Sequence, residues 1–143
     1  MVCTFFGHKD VSGSIKNALK DAIITLIEKE GVKTFYVGNN GRFDFLVQKV
    51  LQEIVTLQTN IQYNIILSSV DEKAIGNNQD ATIFPEGLEK TLPKFAVFKR
   101  NEWLIKHSTF VIAYAKYKTS NSYKWVEKAI RKGLRVINLA DLQ

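Results

Sequence analysis

The sequence predicts a single α/β domain in three layers, in which helices cover both faces of a mainly parallel sheet of about five strands. Short apolar segments alternate with longer stretches whose apolar residues recur at helical spacing, which is the pattern of a parallel sheet covered by helices. The chain has 143 residues, of which 45% are hydrophobic, enough for one ordinary core. Because no repeat or long linker divides the sequence, we expect residues 1–143 to form one domain.

The first helix is expected between the first two strands. Residues 2–6 form a continuous apolar run, which is typical of a buried parallel strand. Ser12 or Ser14 can cap the helix that follows, and Gly31 is suited to end it. Residues 34–37 then form the second strand.

The middle of the chain contains one more helix, one more strand and a long irregular stretch. Apolar residues at helical spacing predict a helix from about 43 to 57, and residues 61–67 predict the third strand. Residues 68–92 contain turn-forming segments at 76–80 and 84–87. Loops of that length inside compact domains are commonly functional.

The last third of the chain predicts two helices and two strands. Pro93 suits the first turn of a helix that continues to about His107, and residues 110–115 are the most apolar strand. A helix at about 121–132 and a last strand at 134–139 follow. Five phenylalanines lie on apolar faces of these elements and are assigned to the core: Phe5, Phe35, Phe95, Phe98 and Phe110.

The charge balance favours anionic partners. Lys and Arg number 20 against 14 Asp and Glu, which gives a formal net charge of +6 and a pI near 9.4. Nucleotides, nucleic acids and acidic membranes all belong to this class of partner, and charge alone does not choose among them.

Cysteine and histidine usage indicates a reducing environment and no metal centre. The single cysteine, Cys3, lies inside the first strand, so we expect a small buried side chain rather than a disulfide. His8 and His107 do not form a metal-ligand spacing with it, so no metal or other cofactor is assigned. No signal-peptide pattern or apolar run of the ~20 residues that span a bilayer is present, so we expect a cytoplasmic protein without a membrane partner.

Two glycine turns follow predicted strands. They are Gly7-His8-Lys9-Asp10 after the first strand and Gly38-Asn39-Asn40-Gly41-Arg42-Phe43-Asp44 after the second. Because the carboxyl ends of parallel strands meet at one edge of a sheet, we expect the two loops to face one ligand site. Glycine lets backbone amides point outward, and such amides at the start of a helix suit phosphate. One such loop would indicate only a turn, whereas two favour a site.

Four segments resemble the SLOG superfamily, and specifically its YpsA-like branch. They are Cys3 to Asp10, Phe35 to Asp44, the turn Phe84-Pro85-Glu86-Gly87, and Lys99-Arg100-Asn101-Glu102-Trp103. The resemblance extends over nearly the whole chain. It implies a Rossmann-like domain that binds nucleotides or nucleotide-derived ligands such as ADP-ribose compounds. Some members of the superfamily are enzymes, some bind single-stranded DNA, and some sense signalling nucleotides in conflicts between bacteria and phages.

One departure from the family pattern concerns the loop after residues 110–115. Related sequences generally place a glycine pair there, whereas this chain has Thr119-Ser120-Asn121-Ser122. Side chains at Ser120 and Asn121 would partly fill the place where bare backbone approaches phosphate, or would instead cap the helix and donate hydrogen bonds. The base-removing enzymes of the superfamily carry Pro-Gly-Gly-x-Gly-Thr-x-x-Glu at this point, and only Glu127 can be set against that motif.

The leading hypothesis is a noncatalytic protein that binds a nucleotide-derived small molecule, as a sensor or a sequestering protein. The ligand would be related to ADP-ribose or NAD, or would be a cyclic signalling nucleotide. The glycines would admit phosphate, His8, Asn39 and Asp44 would supply polar contacts, and Arg100 would neutralise charge. The ring of Phe43, Tyr117 or Tyr123 could stack on a base or nicotinamide. The candidate ligand-binding residues are Gly7, His8, Asp10, Gly38, Asn39, Gly41, Phe43, Asp44, Arg100, Ser120 and Asn121.

Two other functions remain open from the sequence. One is hydrolysis of an N-glycosidic bond of a nucleotide, with Glu127 or an aspartate of the glycine turns as acid or base. The other is binding of single-stranded nucleic acid along the final helix. The basic residues near that final helix are Lys116, Lys118, Lys124, Lys128, Arg131, Lys132 and Arg135.

We also expect the chain to form a homo-oligomer.

Overall fold

A computed structural model describes residues 1–69 and 82–142 of the chain, and within them a six-stranded sheet forms the centre of the protein. The strands are β1 (Val2–Gly7), β2 (Thr34–Val37), β3 (Gln62–Ile66), β4 (Thr82–Ile83), β5 (Phe110–Tyr114) and β6 (Arg135–Asn138). Their order across the sheet is β4-β3-β2-β1-β5-β6, and every neighbouring pair is parallel.

Helices cover both faces of the sheet. They are α1 (Lys16–Glu30), α2 (Arg42–Leu57), α3 (Ala96–Lys106) and α4 (Asn121–Arg131). Buried residues of α1 and α2 pack against one face, where Phe5 and Ile112 point. Those of α3 and α4 pack against the other face, where Phe6 and Val111 point. No helix in the described part of the chain is long and apolar enough to cross a membrane.

The predicted fold class is confirmed, with one strand more than expected. The additional strand β4 lies in the stretch that was predicted to be irregular, and it pairs with β3 through Ile65 with Thr82 and Ile66 with Ile83. Two residues are too few for a periodic pattern, so pairing with β3 is what defines this strand. The predicted turn segment 76–80 lies outside the described residues.

Short helical turns precede two of the helices and refine their predicted starts. Ser12 accepts a hydrogen bond from the Ser14 amide at 3.2 Å and caps a 3₁₀ turn at Gly13–Ile15, which runs directly into α1. Gly31 ends α1 in the left-handed conformation, with φ of 70°, as the sequence predicted. A second 3₁₀ turn at Pro93–Phe95 leads into α3.

Two of the five phenylalanines assigned to the core are exposed, and that assignment is wrong. Phe95 and Phe98 retain 48% and 49% of their surface. The buried face of α3 is instead formed by Ala96, Arg100, Asn101, Leu104 and Ile105. Because polar residues occupy that face, the aromatic rings lie outside it.

The strand order produces a crevice beside β1. Successive strands from β1 to β4 extend in one direction across the sheet, and the chain then returns to place β5 on the other side of β1. Loops that leave β1 and β5 at their carboxyl ends therefore diverge to opposite faces of the sheet. This reversal point is where open α/β sheets bind ligands.

Gly7, at the end of β1, is required for packing. A Cβ atom on residue 7 would overlap the ring of Phe43, which is 1% exposed. We predict that Gly7→Ala lowers the free energy of unfolding by about 1–3 kcal/mol, because an overpacked core must shift backbone or rings. Urea denaturation measures the change.

Gly13→Ala is the matched control for this substitution, because a Cβ at residue 13 has no atom within 4 Å. We expect its stability to stay within about 0.5 kcal/mol of the original chain. Phe43→Leu replaces the ring with a smaller side chain. In the Gly7→Ala background it should recover part of the lost free energy of unfolding. Equal stabilities of Gly7→Ala and Gly13→Ala would contradict the packing role.

Candidate functional site

A cleft of about 490 Å³ opens at the carboxyl ends of β1 and β2, between one face of α3 and the start of α4, which follows the loop after β5. Its position is the reversal point of the sheet. Among the residues that line it are eight of the eleven candidates: Gly7, His8, Asp10, Gly38, Asp44, Arg100, Ser120 and Asn121. The two glycine loops and the loop after β5 are thus brought to one place, although the three segments are distant in the sequence.

Arg100 supplies a buried positive charge to the cleft. Its side chain is 4% exposed, and its Nε donates a hydrogen bond to Asn101 Oδ1 at 3.1 Å. Its Nη1 is buried and has no hydrogen-bond partner among the described residues. Buried donors are normally paired, so this nitrogen is available to an acceptor that enters the cleft.

The side chains of Asp44 and Arg100 both lie close to Gly38. A Cβ on residue 38 would be 2.6 Å from Asp44 Oδ2 and 2.7 Å from Arg100 Nη1, so only glycine leaves room for both groups. Asp44 Oδ2 also accepts a hydrogen bond from the Asn40 amide at 2.9 Å. Burial raises the pKa of Asp44 to about 6, although the Arg100 charge and the Asn40 amide act in the opposite direction.

The pKa of Arg100 is also shifted by burial and by the charge of its neighbour. Burial lowers the pKa of Arg100, and the nearby Asp44 charge raises it. An arginine nevertheless remains protonated in proteins, so the cleft holds a permanent cation. Of the two groups, only the Asp44 carboxyl can change its charge near neutral pH.

His8 joins the loops after β1 and β5. Its Nε2 accepts a hydrogen bond from the Lys116 amide at 2.9 Å, which places the proton of the neutral ring on Nδ1. The ring also contacts Tyr114 and Tyr117, with centroid distances of 5.7 and 5.3 Å. Burial lowers the pKa of His8, and the Asp10 charge partly offsets that effect. His8 therefore lines the cleft and also stabilises its rim.

Ser120 caps α4, which is one of the two arrangements that the sequence left open. Its Oγ accepts a hydrogen bond from the Tyr123 amide at 3.2 Å and donates one to the Tyr117 carbonyl at 2.6 Å. Ser120, Asn121 and Ser122 all line the cleft, so the first turn of α4 faces it. The positive end of the helix dipole adds to the charge of Arg100 there.

Three candidates lie away from the cleft, for packing reasons. Phe43 is 1% exposed in the core, against Gly7. Its ring is therefore not available to stack on a ligand, which differs from the prediction. Gly41, with φ of 104°, packs against Lys9, and the next amide donates to the Lys9 carbonyl at 2.9 Å. Asn39 Oδ1 accepts a hydrogen bond from Gln48 at 3.4 Å.

One wall of the cleft is apolar, and none of the candidate residues belongs to it. Val97, Leu104 and Trp125 line it, and the Trp125 ring stacks on Phe6 with centroids 5.9 Å apart and an angle of 16° between the planes. Trp125 lies three or four positions after residues 121 and 122, so helical spacing places it on the same face of α4 and is the signal in the sequence that identifies it.

Two other chemical possibilities find little support in the described part of the chain. No group of three or more His, Cys, Asp or Glu side chains there could hold a metal ion. Glu127 is exposed on α4 and is not among the residues that line the cleft.

The buried Asp44 carboxyl predicts a pH-dependent stability. A raised pKa in the folded protein means that ionisation favours unfolding, so stability is lost as the pH rises from the ordinary value of 3.8 through about 6. Relative to the original chain, Asp44→Asn should gain on the order of 2–3 kcal/mol of unfolding free energy between about pH 4 and pH 7. Urea denaturation at both pH values measures this gain.

Asp21→Asn, at an exposed position of α1, is the matched control and should show no such gain. A stability difference between Asp44→Asn and the original chain that stays constant over this pH range would show that the carboxyl is not strained by burial.

Comparison with known proteins supports the fold and goes no further. No protein-family model matches the chain, and no curated protein matches it. Among solved structures, the chain is similar to the X-ray structure of DNA processing protein A (DprA) from Streptococcus pneumoniae, with a TM-score of 0.66 and 19% sequence identity. The alignment covers 94% of this chain and 48% of that one, so this chain spans about half the length of that protein. A Rossmann-like α/β fold of the kind found in DprA is therefore shown.

Proposed function

We propose that the chain binds a phosphate-bearing, nucleotide-derived small molecule in the cleft, and that it acts as a sensor or a sequestering protein within the YpsA-like branch of the SLOG superfamily. The observation that carries the proposal is the buried Nη1 of Arg100, which has no partner among the described residues. A guanidinium nitrogen in that position is suited to a phosphate oxygen, because charge-assisted hydrogen bonds to phosphate are strong.

The remaining walls of the cleft suit the other parts of such a ligand. Its volume of about 490 Å³ is within the range of small-molecule sites. The first turn of α4 offers its positive dipole to phosphate, beginning at Ser120. Val97, Leu104 and Trp125 form an apolar surface that suits a base.

A homo-oligomer is part of this proposal. Four large apolar side chains are exposed in one short segment beside the cleft: Leu92 (60%), Phe95 (48%), Val97 (36%) and Phe98 (49%). Concentrated apolar surface of this kind commonly marks a protein contact. Because Val97 also lines the cleft, a subunit contact on this segment would lie next to the ligand.

Single-stranded nucleic acid is a second candidate ligand, and the same segment supports it. The Lys94 ammonium lies 5.1 Å from the centroid of the Phe95 ring, and the Lys128 ammonium lies 5.1 Å from that of Phe98. Exposed rings beside lysines offer stacking for bases and charge for phosphates. The similarity to a DNA processing protein is consistent with this alternative.

The first test of the proposal is a thermal-shift screen with nucleoside phosphates, NAD, ADP-ribose and cyclic dinucleotides. Arg100→Ala should weaken the best ligand by about 1.5–3 kcal/mol, or roughly 10- to 150-fold, because it removes a charged hydrogen bond. Isothermal titration calorimetry measures the loss, and circular dichroism checks that the variant is folded.

Arg131→Ala is the matched control, because Arg131 is exposed on α4. We expect Arg131→Ala to bind the ligand with unchanged affinity. We also expect that the original chain, incubated with its best ligand, leaves the ligand chemically intact. Unchanged affinity of a folded Arg100→Ala variant would rule out the cleft as the site. Turnover of the ligand that Glu127→Gln abolishes would favour the hydrolase instead.

The second test distinguishes the nucleic-acid alternative by its salt dependence. If an oligothymidylate follows the basic face of α4, replacing Lys124, Lys128 and Lys132 with glutamine should reduce the slope of log affinity against log salt by about 2, because three phosphate contacts are lost. Fluorescence anisotropy at several salt concentrations measures the slope.

The same triple variant should bind a small nucleotide in the cleft almost normally, because none of its three lysines lines the cleft. Loss of small-ligand binding in the triple variant, with Arg100→Ala unaffected, would identify the basic helix as the functional surface.

A further inference from the structure

Asp44 and Arg100 carry opposite charges and line the same cleft, where the charge of Arg100 acts on Asp44, and an incoming anion would interact with both. We propose that anion binding in the cleft takes up one proton on Asp44, so that the neutral carboxylic acid and the arginine together hold the anion. The inference rests on the proposed anion site at Arg100. It adds that the negative charge of the Asp44 carboxylate is neutralised by a proton when the negatively charged ligand binds.

The geometry places both groups at one point of the cleft. A Cβ on residue 38 would lie within 3 Å of both Asp44 Oδ2 and Arg100 Nη1. Both side chains line the cleft, and they are only 8% and 4% exposed. An anion bound to Nη1 therefore lies close to the Asp44 carboxylate with little water to screen the repulsion.

The existing hydrogen bonds of Asp44 and Arg100 allow Asp44 to be protonated when an anion binds. Asp44 Oδ2 accepts the Asn40 amide at 2.9 Å, and that bond needs only a carboxyl oxygen. The Arg100 Nη1 has no partner in the described part of the chain, so no existing bond must break when an anion arrives. A proton on Asp44 would remove the repulsion and make the carboxyl a donor to the anion.

The cleft that holds Asp44 is lined by other charged or titratable side chains. Arg100 approaches from α3, and His8, Lys9 and Asp10 approach from the loop after β1, where they line the same cleft. Of these, Arg100 is the charge that acts on the Asp44 pKa. His8 is also titratable, and burial lowers its pKa from the ordinary value, so an experiment must separate its contribution from that of Asp44.

The direction of the pH effect follows from the charges. Burial raises the pKa of Asp44 to about 6, so the carboxyl is mostly ionised at pH 7.5 and mostly neutral at pH 5.5. If the anion binds only the neutral form, its apparent affinity falls by about 20-fold between these values, in proportion to the neutral fraction. Binding then strengthens as the pH is lowered.

The experiment uses inorganic sulfate, whose charge does not change in this range. Sulfate binding to the full chain is followed by nuclear magnetic resonance titration of the arginine side chains at about pH 5.5 and pH 7.5, with ionic strength held constant by chloride. We expect the dissociation constant to rise by about 20-fold at the higher pH. Asp44→Asn, a neutral side chain of the same shape, should bind sulfate tightly and equally at both pH values.

Three outcomes would overturn the inference or its basis. Equal affinity of the original chain at both pH values would overturn the inference and leave the anion site in place. A pH dependence that persists in Asp44→Asn would assign the effect to His8 and would also overturn it. Absence of sulfate binding to the original chain at either pH would remove the proposed anion site itself. Asp21→Asn, on exposed α1, controls for the loss of a carboxylate and should keep the 20-fold dependence.

Discussion

The site depends on one constraint, which is that a charged side chain occupies the buried face of α3. Arg100 is 4% exposed, and it lies on the buried face of the helix, a position where apolar side chains are usual. A buried cation needs a countercharge and hydrogen-bond partners. Asp44 supplies the charge and Asn101 supplies one partner, whereas residue 38 must be glycine to leave space between the charges.

The glycines of the rim make room for the packing that holds the loops in place. Gly7 admits the Phe43 ring to the core, and Gly41 admits Lys9 of the neighbouring loop. The His8 ring accepts a hydrogen bond from the Lys116 amide, which joins the loop after β1 to the loop after β5. These contacts join three loops around Arg100, and a cleft held in this way would lower the entropic cost of binding the proposed ligand.

The sequence predicted the fold well because strands and helices follow the periodicity of apolar residues, and most of their bounds agree within one or two residues. The same rule failed for Phe95 and Phe98, because it assigns apolar residues to the core and cannot show that Arg100 and Asn101 occupy the buried face. It also could not show that Phe43 fills the space of an absent side chain at Gly7. Such errors concern which residues share a face, which only the packing of separate elements determines.

The depth of Arg100 distinguishes the two classes of ligand that the net charge allows. A continuous phosphodiester strand lies on a surface and contacts exposed cations, and Phe95, Phe98 and the lysines of α4 offer such a surface. Arg100 is almost fully enclosed, so it can be reached by a compact or terminal anion that enters the cleft. Keeping a buried cation with one nitrogen unpaired within residues 1–69 and 82–142 costs stability, and this cost is typical of binding sites. The burial of Arg100 therefore favours a small anionic ligand as the reason for its position.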